Sequence, residues 1–192
     1  WDESAYYQFS LEQIEQDIEA PTEELHQMAL SLVPDILADE QKLRLLEVPE
    51  QYWDWLAQSW RTAQPHLYGR LDLAYHGQGP AKLLELNYDT PTSLFETGFF
   101  QWVWLEDQIM RGQLPPGADQ FNSLQDQLEQ RFASMPLQQP CYFASVDGNI
   151  EDKGTVNYLL DIASQAGVAG RYLAMEQLGV IDGQFVDQDN YP

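Results

Sequence analysis

The middle of this 192-residue chain contains two runs of alternating apolar and polar residues, separated by a glycine-rich turn. In the first run, Arg70 and Asp72 alternate with leucines, and in the second run Glu85 and Asn87 do the same. Such alternation predicts two strands, each with its polar side chains on one face. The segment between them, residues 76–80, has the composition of a hairpin loop, so the two strands are predicted to be antiparallel neighbours.

An antiparallel hairpin brings the polar faces of its two strands side by side. One guanidinium, two carboxylates and one amide then share a small area, which is the composition of a magnesium–phosphate site. The loop that follows, residues 89–93, offers hydroxyl groups and backbone N–H groups that suit an anion at a helix start. Two plainer readings stay open, because Arg70 also suits a purely structural ion pair and Thr92 or Ser93 also suits an ordinary helix N-cap.

The elements around this hairpin predict an α/β fold with α+β elements, in which helices and the antiparallel hairpin precede a βαβ unit. Helices with proline bends precede the hairpin, and the first of them has a capping box at Ser10 and Gln13. After it, residues 94–110 are apolar on nearly every side, which predicts a buried helix. Beyond a proline-rich break at 114–117, a strand at 141–147, a helix at 155–165 and a strand at 168–175 predict a parallel βαβ unit, and residues 179–187 predict a final hairpin turning at Asp182 and Gly183.

Composition argues against several classes of function. With 9 Lys and Arg residues against 31 Asp and Glu residues, the formal net charge of −22 disfavours nucleic acids and anionic membranes and leaves cationic partners such as polyamines open. No apolar run approaches the roughly 20 residues of a membrane span. The single cysteine, Cys141, allows no intrachain disulfide, which favours a reducing, cytoplasmic location. It opens an apolar strand, which favours a packing role over a nucleophilic one, and the three histidines lack the spacing of a metal site.

Four stretches of the chain resemble the glutathionylspermidine synthase family, in particular its bacterial stand-alone synthetase-like members. They are Trp1–Phe9, Leu67–Leu73 (LYGRLDL), Lys82–Trp102 (KLLELNYDTPTSLFETGFFQW) and Ser145–Gly167. The combination of RxD with ExNxDTPTS is the most specific part. The resemblance implies an ATP-grasp ligase, which phosphorylates a carboxylate with ATP and lets an amine attack the acyl phosphate to give an amide.

The resemblance also implies roles for individual residues. Arg70 matches the catalytic arginine that steadies the transferring phosphoryl group, and in that role it also binds the phosphate of the ATP co-substrate. The magnesium ligands correspond to Asp72, Glu85 and Asn87. The substrate-binding residues correspond to Thr90 and Thr92, where the synthase has serines, and, in a looser match, to Glu151 and Asp152. Those two acidic residues follow a strand, and from the residues alone a solvated helix start is the favoured reading; Asp152 also departs from the glutamate of the family.

The implied partners are a small carboxylate, such as glutathione or a peptide, and an amine, such as a polyamine. The predicted domains are a helical region with the catalytic hairpin at 1–113 and a pre-ATP-grasp-like α/β unit at 118–192, with the C-terminal ATP-grasp remainder absent. The nucleotide-holding lysines of the family belong to that remainder, so the expectation is an incomplete ligase that is inactive alone. The alternative is a non-catalytic binding or scaffold domain that retains the fold; the sequence predicts no oligomeric state.

Overall fold

The structure, a computed structural model, describes residues 5–89, 92–138 and 140–192. The chain divides into two compact units, Trp1–Asp89 and Thr90–Pro192. The elements of the first unit are a π-helix (Gln13–Glu19), α1 (Ala20–Leu37), α2 (Glu40–Leu45), a 3-10 helix (Glu50–Tyr52), α3 (Trp53–Arg61), β1 (Arg70–Ala74) and β2 (Lys82–Asn87). Those of the second are a π-helix (Glu96–Phe100), α4 (Gln101–Met110), α5 (Leu124–Ser134), β3 (Cys141–Ser145), α6 (Ile150–Gln165), β4 (Gly170–Ala174), a 3-10 helix (Met175–Gln177), β5 (Gly179–Ile181) and β6 (Gln184–Val186).

The predicted hairpin is confirmed. Strands β1 and β2 pair antiparallel, with Arg70 opposite Asn87 and Asp72 opposite Glu85. The register shifts by a bulge between Asp72 and Leu73, on the turn side of the polar residues. Because the bulge lies beyond them, the four polar residues keep a regular register with one another.

The N-terminal helical segment is attached to the turn end of this hairpin. It begins with the predicted capping box, in which Ser10 Oγ accepts from the Gln13 N–H over 3.2 Å and Gln13 Oε1 accepts from the Ser10 N–H over 2.8 Å. Gln13 Nε2 then donates to the Gly77 carbonyl over 2.9 Å. The Tyr75 hydroxyl donates to Asp17 Oδ2 over 2.7 Å. These bonds tie the hairpin turn to the first helical turns of the chain.

The second unit contains the predicted βαβ arrangement. Strands β3 and β4 are parallel, in register from Cys141 opposite Gly170 to Ser145 opposite Ala174, and α6 connects them. The final hairpin, β5–β6, turns at Asp182 and Gly183, whose positive φ values of 51° and 79° suit the tight turn that an Asp-Gly pair predicts. The apolar core of this unit comes from the helices, the strand β4 and the loop between α6 and β4: Leu128, Phe132, Ile162, Ala163, Val168 and Leu173.

Cys141 lies at the start of β3 and is half-buried. Desolvation raises the pKa of its thiol above the ordinary value. Since the thiolate is the nucleophilic form, a raised pKa works against a catalytic role. The packing role expected for this cysteine is therefore the better account.

The helix at 94–110 is buried along one side only, so the expectation of a helix buried all round is wrong. Leu94 and Leu105 are buried, whereas Phe100 is 50 % and Trp102 is 46 % exposed. These rings are exposed because the described part of the second unit packs against the side of the helix that carries Leu94 and Leu105 and leaves the opposite side uncovered. Apolar as it is, neither this helix nor any other in the described ranges has the length and composition needed to cross a bilayer.

This helix packs within the second unit. The Phe95 ring stacks on Tyr158 of α6 with their centroids 5.2 Å apart. Asn122 Nδ2 donates to the Thr97 carbonyl over 2.5 Å. The contacts therefore assign these residues to the unit that begins at Thr90. The division into domains at 1–113 and 118–192 stays a prediction.

Replacing Ile162 with alanine is expected to destabilise the protein by about 2–5 kcal/mol, because the change leaves a cavity in the core. Ile162 is 1 % exposed, whereas Ile150, in the first turn of the same helix, is 89 % exposed. Ile150→Ala is therefore the matched control and should change the free energy of unfolding by about 0.5 kcal/mol or less. Urea unfolding followed by circular dichroism measures both; equal losses would contradict the assigned core.

Asp187 joins the chain after β6 to β3. Its Oδ2 accepts from the Tyr142 hydroxyl over 2.8 Å, and its Oδ1 accepts from the N–H groups of Asp189 and Tyr191, each over 2.9 Å. The bond from the Tyr191 backbone lowers the pKa of Asp187 most, and the bonds from Tyr142 and Asp189 add to this against an opposing desolvation effect. The charged form is thus favoured by folding.

Asp187→Asn is expected to lower the unfolding temperature at pH 7, because it removes the charge that these donors stabilise. A folded-state pKa below the ordinary Asp value of about 3.9 means that the stabilisation is present above that pH and is lost as the pH falls through the folded pKa. The difference from wild type should therefore close in acid. Scanning calorimetry between pH 7 and pH 3 measures it, with exposed Asp189→Asn as control. A difference that stays constant over this range would contradict the assignment.

Candidate functional site

The four polar side chains of the β1–β2 hairpin form one connected group. Arg70 Nε donates to Asp72 Oδ1 over 2.7 Å, and Arg70 Nη2 donates to Asp72 Oδ2 over 3.3 Å. Both side chains are about one-third exposed, at 35 % and 37 %. The pair therefore stands at the surface of the hairpin, open to a ligand.

Asn87 extends this pair to Glu85. With the amide oriented so that its donors face acceptors, Asn87 Oδ1 accepts from Arg70 Nη2 over 3.1 Å and Asn87 Nδ2 donates to Glu85 Oε1 over 3.2 Å. A chain of hydrogen bonds thus runs from Asp72 through Arg70 and Asn87 to Glu85. The structure thus brings together the four side chains that the sequence predicted to lie side by side.

The charge of Arg70 is held in place by its neighbours. The hydrogen bond to Asp72 raises the pKa of the guanidinium above its ordinary value, and the charges of Asp72 and Glu85 add to this against desolvation. Two carboxylates on opposed strand positions repel each other, and a cation between them offsets that repulsion. Arg70 is therefore a permanent, oriented positive charge beside the Asp72 and Glu85 side chains.

The oxygen atoms of this group suit a magnesium ion. Asp72 and Glu85 are Cα partners across the strands, and Asn87 is the next residue on the same face of β2. Mg²⁺ is bound in proteins by one or two carboxylates together with water and phosphate oxygens, and a carboxylate keeps lone pairs beyond the bonds described here. The described ranges, this hairpin included, hold no cluster of three or more His, Cys, Asp or Glu side chains arranged for a metal. The hairpin offers two carboxylates and one amide oxygen as possible ligands.

Of the predicted substrate residues in the loop, Thr90 lies outside the described residues. Thr92 is exposed and lies two residues before Leu94, the first helical residue. The Ser93 carbonyl accepts from the Thr97 N–H over 3.1 Å and from Thr97 Oγ1 over 2.7 Å. The Ser93 carbonyl thus accepts bonds at the helix start, with Ser93 at a φ of 70°. The side-chain N-cap that Thr92 or Ser93 also suits stays a prediction.

Glu151 and Asp152 lie in the first turn of α6, which begins at Ile150 and not at the predicted Thr155. Asn149 caps this helix, because its Oδ1 accepts from the N–H groups of Glu151 and Asp152 over 3.1 and 3.2 Å. Asn149 Nδ2 also donates to Asp152 Oδ2 over 2.6 Å. Asp152 thus has a local role at a helix N-terminus, where negative charge is favourable. These residues belong to the second unit and the hairpin group to the first.

Two residues that adjoin the hairpin group were not found from the sequence. The Tyr88 hydroxyl, one residue after Asn87, lies 2.7 Å from His26 Nδ1 on α1. The Tyr88 ring also covers Gly69, the residue before Arg70. A contact between residues 62 positions apart leaves no local pattern in the sequence, which explains why it was missed.

The second unit has a cleft of about 420 Å³ between α5, α6 and the helix that follows Ser93. None of the predicted site residues lines it. Its walls combine aromatic rings with amide side chains and one carboxylate: Phe95, Phe99, Gln125, Gly154, Asn157, Tyr158, Asp161, Ile162 and Gln165.

Comparisons with known proteins agree on one family. The model of the glutathionylspermidine synthase preATP-grasp family matches residues 1–192. A protein of Haemophilus influenzae named "Putative acid--amine ligase" is 36 % identical over 200 residues, which cover 100 % of this chain and 49 % of that protein. The trypanothione synthetase of Crithidia fasciculata is 26 % identical over 153 residues, covering 79 % of this chain and 23 % of that protein.

The bifunctional glutathionylspermidine synthetase/amidase of Escherichia coli is 27 % identical over 185 residues, covering 95 % of this chain and 29 % of that protein. The chain thus spans about half, or less, of the length of the curated relatives that it matches. The family model, in contrast, covers the chain from end to end. The chain therefore belongs to the glutathionylspermidine synthase family and corresponds to its pre-ATP-grasp region.

Proposed function

We propose that this chain supplies the magnesium- and phosphoryl-binding side of an ATP-dependent carboxylate–amine ligase. The observation that carries the proposal is the hydrogen-bonded group of Arg70, Asp72, Glu85 and Asn87 on two adjacent strands. The names of the relatives, an acid–amine ligase and synthetases of glutathionylspermidine and trypanothione, support amide formation. The chain corresponds to half or less of these relatives, and we propose that residues 1–192 do not complete the reaction by themselves.

The proposed reaction has two steps. An oxygen of the substrate carboxylate attacks the γ-phosphorus of ATP, the bond from that phosphorus to the ADP oxygen breaks, and an acyl phosphate and ADP result. The amine nitrogen then attacks the acyl carbon, the carbon–oxygen bond to phosphate breaks, and the nitrogen loses a proton to give the amide and inorganic phosphate.

Arg70 has the properties that the first step requires. Negative charge spreads over the phosphoryl oxygens during transfer, and a fixed cation stabilises it without reorganising at that moment. Asp72 and Asn87 hold two sides of the guanidinium and orient it. Asp72, Glu85 and Asn87 are the residues proposed to hold Mg²⁺, which when bound neutralises phosphate charge.

The proposed substrates are a small carboxylate, such as glutathione or a peptide, and an amine, such as a polyamine. The names of the relatives from Crithidia fasciculata and Escherichia coli support this pair. A net charge of −22 also favours the approach of a cationic amine. Thr90, Thr92, Glu151 and Asp152 are proposed as substrate contacts, the hydroxyls as hydrogen-bond partners and the carboxylates as partners of the amine.

Arg70→Ala is expected to reduce Mg²⁺-dependent ADP release by about 10²–10³-fold, the cost typical of losing one preorganised charge-stabilising group. Asn87→Ala should reduce it in the same direction. The measurement uses the complete gene product that carries these residues, with ATP, glutathione and spermidine, in a coupled ADP assay. Exposed Arg61→Ala removes the same charge and is the matched control. Unchanged turnover in both Arg70→Ala and Asn87→Ala would refute the assigned site. If the wild-type protein releases no ADP with any of a panel of acids and amines, the alternative of a non-catalytic binding domain is favoured.

Glu85→Gln is expected to weaken Mn²⁺ binding by about tenfold or more, because it removes a proposed ligand charge. Mn²⁺ stands in for Mg²⁺ because its free form is counted by electron paramagnetic resonance. The titration is done on residues 1–192. The control is Glu12→Gln, an exposed residue of the same unit that changes the net charge equally. Equal affinities in the two variants would place the bound metal elsewhere on the acidic surface.

A further inference from the structure

The hairpin group is bounded on its outer side by a pair of residues that sequence patterns do not single out. Arg70 lies opposite Asn87, so in an antiparallel register Gly69 and Tyr88 are the next residues to face each other. Gly69 directly precedes Arg70, and Tyr88 directly follows Asn87, whose amide binds the Arg70 guanidinium. Any shift between these two therefore moves both ends of the Arg70–Asn87 contact.

The Tyr88 ring lies directly on Gly69. A Cβ atom at Gly69 would stand 2.6 Å from Tyr88 Cδ1 and 3.0 Å from Cε1. Real Cβ atoms do not approach a ring carbon at 2.6 Å, so any side chain at Gly69 forces the ring or a strand to move. An aromatic ring over a glycine beside a strand covers exposed backbone and lets the two chain segments lie close together.

The far end of the same ring is also held. The Tyr88 hydroxyl lies 2.7 Å from His26 Nδ1, and the two rings meet edge to face with centroids 5.6 Å apart. Tyr88 is 41 % exposed, and its ring is held by the chain after β2 at one end and by His26 of α1 at the other.

We propose that Gly69, Tyr88 and His26 are positioning residues that set the separation of Arg70 and Asn87 and thereby shape the metal- and phosphoryl-binding group. The inference rests on the proposed function of that group and extends it to residues that are not themselves proposed to bind the metal or the phosphoryl group. A purely structural role would alter the stability of the first unit and leave the metal affinity of the folded protein unchanged. The two roles therefore give different results in a binding experiment.

The experiment titrates Mn²⁺ into residues 1–192 and counts free Mn²⁺ by electron paramagnetic resonance, with the unfolding temperature measured alongside. Gly69→Ala is expected to weaken Mn²⁺ binding by about tenfold, as the loss of residues that orient metal ligands typically does. Gly117→Ala, where an added Cβ meets no atom within 4 Å, is the matched control and should bind as wild type does. If the ring is the cause, Gly69→Ala adds no further loss when Tyr88 is already alanine.

Tyr88→Phe keeps the ring and removes the bond to His26, so it tests the proposal without a steric change. It should weaken Mn²⁺ binding by a smaller factor, and it decides the matter if Gly69→Ala does not fold. The positioning role is overturned if Tyr88→Phe binds Mn²⁺ as tightly as wild type and Gly69→Ala either does the same or fails to fold.

Glu85→Gln separates this outcome from a failure of the proposed function. If Glu85→Gln weakens Mn²⁺ binding while the Gly69 and Tyr88 variants do not, the metal site stands and the positioning role falls. If Glu85→Gln binds as tightly as wild type, the metal site itself is wrong and the positioning role falls with it.

Discussion

The attachment of the β1–β2 hairpin to the N-terminal helices is the constraint on which the candidate site depends. A two-stranded hairpin is at best marginally stable in water, and Leu84 of β2 is 70 % exposed, so apolar burial does little to hold these strands. The helices hold the turn end through Gln13 and Asp17, and α1 holds the other end through the contact of His26 with Tyr88. Four polar side chains can keep fixed distances there because both ends of their support are fixed.

Within that support, Arg70 resolves an electrostatic conflict. Asp72 and Glu85 occupy directly opposed positions on neighbouring strands, where like charges destabilise a sheet. The guanidinium binds one carboxylate directly and reaches the other through the Asn87 amide. This arrangement keeps two anions close together, which is the condition for attracting a divalent cation, and it leaves an oriented cation beside them. Structure and proposed chemistry therefore use the same contacts.

Several features of the fold were predictable because they depend on neighbours in the chain. The strands of the hairpin follow from alternation, the capping box from Ser10 and Gln13, and the last turn from an Asp-Gly pair. The start of α6 was also encoded locally, by Asn149 as N-cap, but Gly154 is a poor helix former and made the helix seem shorter. The family resemblance selected among the readings of the hairpin, which its spacing alone left open.

The sequence by itself determined the main helices and strands of the hairpin and the βαβ unit, the shared polar face of the hairpin and the family, because alternation, capping and motif spacing are properties of adjacent residues. Only the tertiary structure decided which side of the helix at 94–110 is covered, since an apolar pattern does not say what packs against it. It likewise decided that Tyr88 spans from Gly69 to His26, because a contact between distant positions is set by the packing of α1 beside the hairpin.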